Sequence, residues 1–228
     1  MGRHTISHAE DLYSGDASYG PAFAQRGVPL SKVLMVSLGA PVVADPDRIL
    51  DDEVASDSAS STTTFLAQPD VPRALTATGT AGSNHLITVT GTDVYNAVIV
   101  ELLTLSGTNV IAGVKAFKTV TSVAIASGAA DDTFDLGVGD VLGLPYRVDA
   151  GGLLMAYADS ALDLTTSAVI GTFVAAVTTD PATNITGDVR GTYNPNVTLN
   201  GTAIVKVLIQ IASTATKVGA YGVDQFGG

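Results

Sequence analysis

The chain contains no cysteine, so neither a disulfide frame nor thiolate chemistry is open to it, and the redox compartment stays undefined. It has no tryptophan and only 6% aromatic residues. These are too few and too scattered for the stacking platforms on which single-stranded nucleic acids lie. Charge is sparse as well: 14% of residues carry one, against about 25% in ordinary globular chains. What charge there is leans one way, with 22 acidic and 11 basic residues giving a net −11. That balance argues against nucleic acid as a partner, because such binding is driven by Lys and Arg displacing counterions. It argues equally against an anionic membrane surface. Long apolar runs are missing too. The longest, Leu30 to Ala44, is interrupted by Ser31, Lys32, Ser37 and Pro41 and is too short to cross a bilayer as a helix. The opening Met1-Gly-Arg-His-Thr-Ile-Ser-His8 lacks the apolar core of a signal peptide, and a soluble protein made in the cytoplasm is expected.

What the chain does have is length, apolar content and hydroxyls. At 228 residues with 46% hydrophobic content, it can bury roughly 70% of its unfolded surface around a core without staples. Abundant Thr, Ser, Ala and Gly leave a neutral surface, of a kind that suits a protein covered by neighbours.

Composition changes near Val71. Residues 1–70 hold ten acidic and four basic residues. They are punctuated by Gly20-Pro21, Ala40-Pro41, Asp45-Pro46 and the hydroxyl-rich run Ser56 to Thr64, which favour extended pieces and turns over regular elements. This stretch is expected to be an extended N-terminal arm, with residues 71–228 forming a β-sandwich or jelly-roll-like domain. Short apolar patches, Val33 to Val36 and Phe65-Leu66, are spaced along the arm as anchors that need a surface to lie on.

From Arg73 onward, apolar and polar residues alternate at the period of half-buried strands. Val205, Val207, Ile209 and Ile211 share one face, with Thr202, Lys206 and Gln210 on the other and Ile204 and Leu208 out of pattern. Phe117, Val123 and Ile125 share a face with Thr119 and Thr121. Val98, Val100 and Leu102 form a third set, opposite Glu101, and Val169, Phe173, Ala175 and Val177 a fourth. Turn chemistry separates them at Gly91–Asp93, Ser106–Asn109, Asp149–Gly152 and Asn200-Gly201; Asn-Gly between β-formers is a strong hairpin cue. About eight strand segments at intervals of roughly 8–15 residues, with no long helix, predict an all-β fold.

No constellation of reactive residues stands out. The histidines are His4, His8 and His85, and no Gly-x-Ser-x-Gly elbow accompanies them. His4 and His8 have helical ligand spacing but no third ligand; His85 reads as an exposed residue where a strand begins. The acidic run Asp45 to Glu53 lacks the Gly and the terminal Glu of a calcium loop, and Asp131, Asp132 and Asp135 resemble it weakly. Gly137-Val-Gly139 is one residue off a dinucleotide fingerprint and precedes no helix, so it reads as strand–turn–strand. Asn184, Asn196 and Asn200 head glycosylation sequons that read as polar turns. No pair among Glu10, Glu53 and Glu101 is singled out for glycosidase chemistry. The expectation is a non-enzymatic protein without cofactor or metal.

An ordered series of phrases carries a resemblance: Ile87-Thr-Val-Thr-Gly-Thr-Asp-Val-Tyr95, Lys115-Ala-Phe-Lys-Thr-Val-Thr-Ser-Val123, Gly137-Val-Gly-Asp-Val-Leu-Gly-Leu-Pro145, Gly187-Asp-Val-Arg-Gly-Thr-Tyr-Asn-Pro195 and Tyr221-Gly-Val-Asp-Gln-Phe226. Over roughly residues 70–228 these resemble phage and prophage head-associated proteins, the cement or decoration proteins of tailed-phage capsids. The resemblance implies a structural virion protein that binds the major capsid protein, sits on the outer capsid surface as a homotrimer and reinforces the icosahedral shell. Linked contacts of that kind gain strength through effective concentration. On this reading the arm is the grip, with Leu34, Val36, Leu50, Phe65 and Leu66 as capsid-contact anchors. Two other readings stay open: a tail or baseplate component, and a carbohydrate-binding β-sandwich in which Tyr157, Tyr193 and Tyr221 cluster.

Overall fold

The computed structural model describes residues 32–55, 58–80, 82, 84–126, 132–158, 161–162, 171–211 and 216–227. His4, His8, Asp131 and Val169 lie outside the described residues. In chain order the strands are β1 (Lys32–Gly39), β2 (Asp45–Val54), β3 (Ser60–Thr62), β4 (Arg73–Gly79), β5 (Leu86–Thr92), β6 (Val98–Thr104) and β7 (Ile111–Phe117). They continue as β8 (Thr119–Ile125), β9 (Thr133–Gly143), β10 (Leu153–Ala158), β11 (Ala161–Leu162), β12 (Thr172–Val174), β13 (Thr192–Asn194) and β14 (Val205–Ile211). A single short helix, α1 (Lys217–Tyr221), follows among the described residues. The fold is all-β, as the alternation predicts.

Three antiparallel sheets result. The first has the order β1-β14-β10-β11, the second β12-β13-β9-β4-β7 with β2 also on β9, and the third β3-β8-β5-β6. The second and third pack face to face, sandwich-like, over Ile49, Leu75, Ile87, Val89, Ile99, Phe117, Val123, Leu136 and their neighbours. The first sheet closes a separate core with Leu142, Leu144, Val148 and Tyr193. In β14 the alternation holds: Val205, Val207, Ile209 and Ile211 are all buried.

The boundary expected at residue 70 is not there for the described part of the arm. Residues 32–62 supply a strand to every sheet: β1 pairs with β14, β2 with β9 and β3 with β8. Arg73 explains how the stretch is tied in. Its fully buried guanidinium donates to the carbonyls of Gly139 (2.6 Å) and Val42 (3.0 Å) and to Asp70 Oδ1 (2.9 Å). Asp70 in turn accepts from the Val42 N–H at 2.7 Å. Burial pushes the Asp70 carboxyl up, but the Val42 N–H and the Arg73 guanidinium outweigh it and the net shift is downward. The β1–β2 connection is thus bolted to β4 and β9.

Four further expectations are corrected. Gly137 and Gly139 lie within one unbroken strand, β9, and not at a turn. Gly137 is required because the chain at Asp45-Pro46 crosses directly over it, and any Cβ would collide with those backbone atoms. In β8 a register shift opposite Thr90/Gly91 changes the parity, so Val120 is buried with Val123 and Ile125 while Thr121 is exposed. In β6 the inward face is the reverse of the one expected: Ile99, Glu101 and Leu103 are buried and Val98 is 43% exposed. Asn200-Gly201 does form a turn, but not between paired strands. Asn200 Oδ1 accepts from the N–H groups of Thr202 and Ala203 and leads the chain into β14.

Candidate functional site

The five anchors predicted as capsid contacts are not brought together. Leu50 is buried in the core between the second and third sheets, and Phe65 packs against that core. Leu34 and Val36 pack against the core under the first sheet. All four therefore serve their own domain, because the segment that carries them is woven into the sheets. Leu66 alone is exposed, at 71%.

The same strand β1 offers a different apolar set on its opposite side. Its pairing places Met35 across from Leu208 of β14, and β10 places Met155 across from the same Leu208. These three residues form a row across three adjacent strands on the outer face of the first sheet. Val33 (42%), Met35 (54%), Leu154 (37%), Met155 (37%) and Ile204 (41%) are all solvent-exposed apolar side chains of this sheet or its immediate approach. Leu208, out of pattern in the sequence, falls into place at the centre of this row. Methionine-rich apolar surface of this type adapts to the shape of a partner.

A second feature lies where β6 and β7 meet the C-terminal segment. Glu101 Oε1 accepts from the N–H groups of Val114 (2.5 Å) and Lys115 (3.3 Å), above Gly113, where a Cβ would press on the carboxylate. Lys115 Nζ donates to Gln225 Oε1 at 3.3 Å. Asp188 accepts from the N–H groups of Ala116 and Arg190, and Arg190 Nη2 donates to Asp93 Oδ2 at 2.9 Å. All of these side chains are buried. Burial pushes the Glu101 carboxyl up to about 7 against the pull of the two N–H donors, and burial lowers Lys115 while Asp188 and Glu101 oppose the shift.

On top of this seam sits a cleft of about 480 Å³, lined among others by Asp93, Tyr95, Arg190, Lys217, Tyr221 and Gln225. Asp93 shapes it: Oδ1 accepts from the N–H groups of Tyr95 (2.8 Å) and Ala97 (2.9 Å), fixing the turn that presents the Tyr95 ring. The Arg190 guanidinium carbon lies 5.6 Å from that ring's centroid. Tyr221, on α1, meets Tyr95 edge-to-face at 5.2 Å and Tyr146 at 5.7 Å. The Tyr95 hydroxyl donates to the Pro145 carbonyl at 2.7 Å; burial and the neighbouring Tyr146 and Tyr221 push it up to about 12. The tyrosine set expected from the sequence is corrected in part: Tyr221 is here, but Tyr193 is fully buried in the core under the first sheet and Tyr157 is on β10.

The two acidic stretches do converge. Carboxylate oxygens of Asp51, Asp52 and Asp135 lie within 4.8 Å of one another at the β2–β9 pairing. Exposed acidic groups gather in this way without a ligand, and nothing further at this place points to one. His85 is only half-buried, with Nε2 2.7 Å from Asp132 Oδ2, so it is tied down and not the exposed residue expected.

Glu101, Lys115 and Arg190 were not singled out as site residues by the sequence. The available signal was the carboxylate of Glu101 inside an apolar run, Val98 to Leu103. Comparison with protein-family models, with curated proteins and with solved structures finds no match to this chain.

Proposed function

We propose that this protein is a structural virion component: a capsid cement or decoration protein that binds the major capsid protein, as a homotrimer on the outer surface of the shell. The observation that carries the proposal is the apolar row Met35–Leu208–Met155 on the outer face of the first sheet, its two methionines exposed and Leu208 half-buried between them. Contiguous exposed apolar surface marks a face that another protein covers. The resemblance of residues 70–228 to head-associated proteins supplies the kind of partner. The net charge of −11 fits an outer position away from packaged DNA. On this reading the grip is the outer face of the first sheet and the exposed Leu66, in place of the four anchors that pack inward.

The test is a solution mass measurement followed by co-sedimentation with shells that lack the protein. A trimer of about 69 kDa, three times 23.1 kDa, that saturates the shells and raises their heat resistance is the expected result. A trimer that ignores shells and is found in isolated tails moves the protein to the tail. A monomer that binds neither removes the proposal.

A further inference from the structure

We propose that the cleft between Tyr95, Tyr221 and the Lys217–Asp224 pair is a binding site for a neutral saccharide. This goes beyond the shell-binding reading and stands or falls apart from it, since the cleft lies on the β5–β6 turn, α1 and the C-terminal segment and not on the first sheet.

Size and lining come first. A volume of about 480 Å³ lies within the range of small-ligand sites, about 300–1,000 Å³. Three of the chain's seven tyrosines gather at this place, and two of them remain well exposed, Tyr95 at 47% and Tyr221 at 38%. Their rings stand at 83° to one another, with Arg190 over the Tyr95 ring and Tyr146 beside Tyr221, and the exposed remainder of the two rings forms a corner at the cleft. A flat, weakly polar C–H surface, as on one side of a pyranose ring, fits such a corner.

Charge decides the class of ligand. Each cation lining the cleft already has its anion: Arg190 with Asp93 at 2.9 Å, and Lys217 with Asp224 at 2.8 Å. An anionic ligand would meet two carboxylates, and a cationic one would meet Arg190 and Lys217. A neutral ligand disturbs neither pair. The polar groups are mixed in kind, with Lys217 and Gln225 able to donate and Asp224 able to accept. Lys115 donates to Gln225 Oε1, which fixes that end of the amide inward. Gln225 Nε2 and Arg190 Nε are buried donors with no acceptor among the described residues. Hydroxyls, which donate and accept, match such a set, while the apolar area that makes up most of the lining suits the C–H face of a sugar ring.

A peptide fits less well. The lining comes from a turn, a short helix and a loop, so no strand edge runs along the cleft to pair with an extended backbone. The Gly222 N–H is already spent on the Val218 carbonyl.

The experiment titrates the full chain with neutral disaccharides of glucose, galactose, mannose and N-acetylglucosamine, by calorimetry and by NMR. A proline-rich peptide and a sialylated saccharide serve as the competing classes. Saturable binding of at least one neutral disaccharide with Kd on the order of 1 mM or tighter is expected. Tyr221→Ala should weaken it about tenfold and Tyr221→Phe by less than about twofold. Lys217→Gln with Asp224→Asn, two side chains that are 74% and 75% exposed and whose pairing should contribute little to stability, should weaken it about threefold. Melting curves check that each variant is folded, and the double rim variant keeps the test decisive if Tyr221→Ala is not. No saturable binding of any neutral disaccharide, affinity unchanged in the rim variant, or preference for the peptide or the anionic saccharide overturns the proposal. Co-sedimentation with shells is a separate readout that none of these outcomes alters.

Discussion

The outer face of the first sheet and the seam beneath the tyrosine cleft invert the usual division between surface and core, in opposite senses. On the face, Val33, Met35, Leu154 and Met155 stand in water. In the seam, Asp93, Glu101, Lys115, Asp188 and Arg190 are each no more than 5% exposed, in a chain poor in charge throughout. The two inversions differ in cost. An exposed methionine merely forgoes the roughly 25 cal/mol per Å² that burial would return, and a partner can restore it. A buried charge loses several kcal/mol of hydration and recovers it only through good partners. Most of the seam is therefore satisfied within the chain, with Glu101 Oε2, Arg190 Nε and Gln225 Nε2 the atoms left over among the described residues, whereas the face can wait. The seam's hydrogen bonds also connect segments far apart in sequence: β6 to β7 through Glu101, β7 to the C-terminal segment through Lys115 and Gln225, and β7 to the 188–190 turn through Asp188. We read the seam as positional and the face as associative.

The sharpest way to break that comparison is to orphan one buried charge. Asp93→Ala leaves Arg190 buried without its anion and removes the acceptor for two turn N–H groups. It should cost roughly 3–5 kcal/mol in urea unfolding. Asp93→Leu with Arg190→Met should recover part of that loss, because an apolar pair has no charge to desolvate. A loss under about 1 kcal/mol for Asp93→Ala would show that the seam does not hold the turn.

Next in size is a pH effect. Burial holds Glu101 at about 7 in the folded chain against an ordinary 4.5, so the folded state favours the protonated form. Its contribution to stability is fully present below about pH 4.5 and is lost as pH rises through about 7. Lys115 runs the other way: its lowered value gives a contribution present at high pH and lost as pH falls. Glu101→Gln deletes the first effect and, by removing a charge that opposes the lowering of Lys115, lets the second deepen. Between pH 4.5 and 8 the wild type should lose roughly 3 kcal/mol of stability relative to the variant. Parallel stability–pH profiles would show that the carboxylate is not held in a desolvated site.

The same comparison explains what could be read from the sequence. In β14, Val205, Val207, Ile209 and Ile211 were legible because only one parity carries β-branched residues facing the core. In β6 both parities are apolar, Val98-Ile-Val-Glu-Leu-Leu103, and period two cannot choose a face. Placing Glu101 outward follows the cost of burying a charge. The structure reverses that placement because the N–H groups of Val114 and Lys115 receive the carboxylate, and those partners are 13 and 14 residues away. Residues 32–70 looked like an arm because Pro, Asp and Ser break their periodicity. Their partners, β14 and β9, lie far along the chain, and the Arg73–Asp70–Val42 bolt that secures them has no local signature. The tyrosine cleft was half legible: Tyr221 was singled out, but its neighbours Tyr95 and Tyr146 come from two other loops.

The smallest effect on stability should come from the face, and that smallness is what distinguishes it. Met35→Ser with Met155→Ser removes two exposed side chains whose strand partner is Leu208; Met155 Sδ also accepts from the Tyr157 hydroxyl at 3.2 Å. Each change should alter the stability of the isolated chain by less than about 0.5 kcal/mol. The control is Ile209→Val on the buried side of the same sheet, which should cost about 0.5–1.5 kcal/mol through lost packing. In co-sedimentation with shells the order should reverse. The double methionine variant should lose occupancy by about tenfold or more, and Ile209→Val should bind as the wild type does. If the methionine variant is instead destabilised like a core mutant, the face is already covered within the chain. If it is stable and binds shells undiminished, the partner lies elsewhere, and exposed apolar residues on the first sheet have no bearing on association.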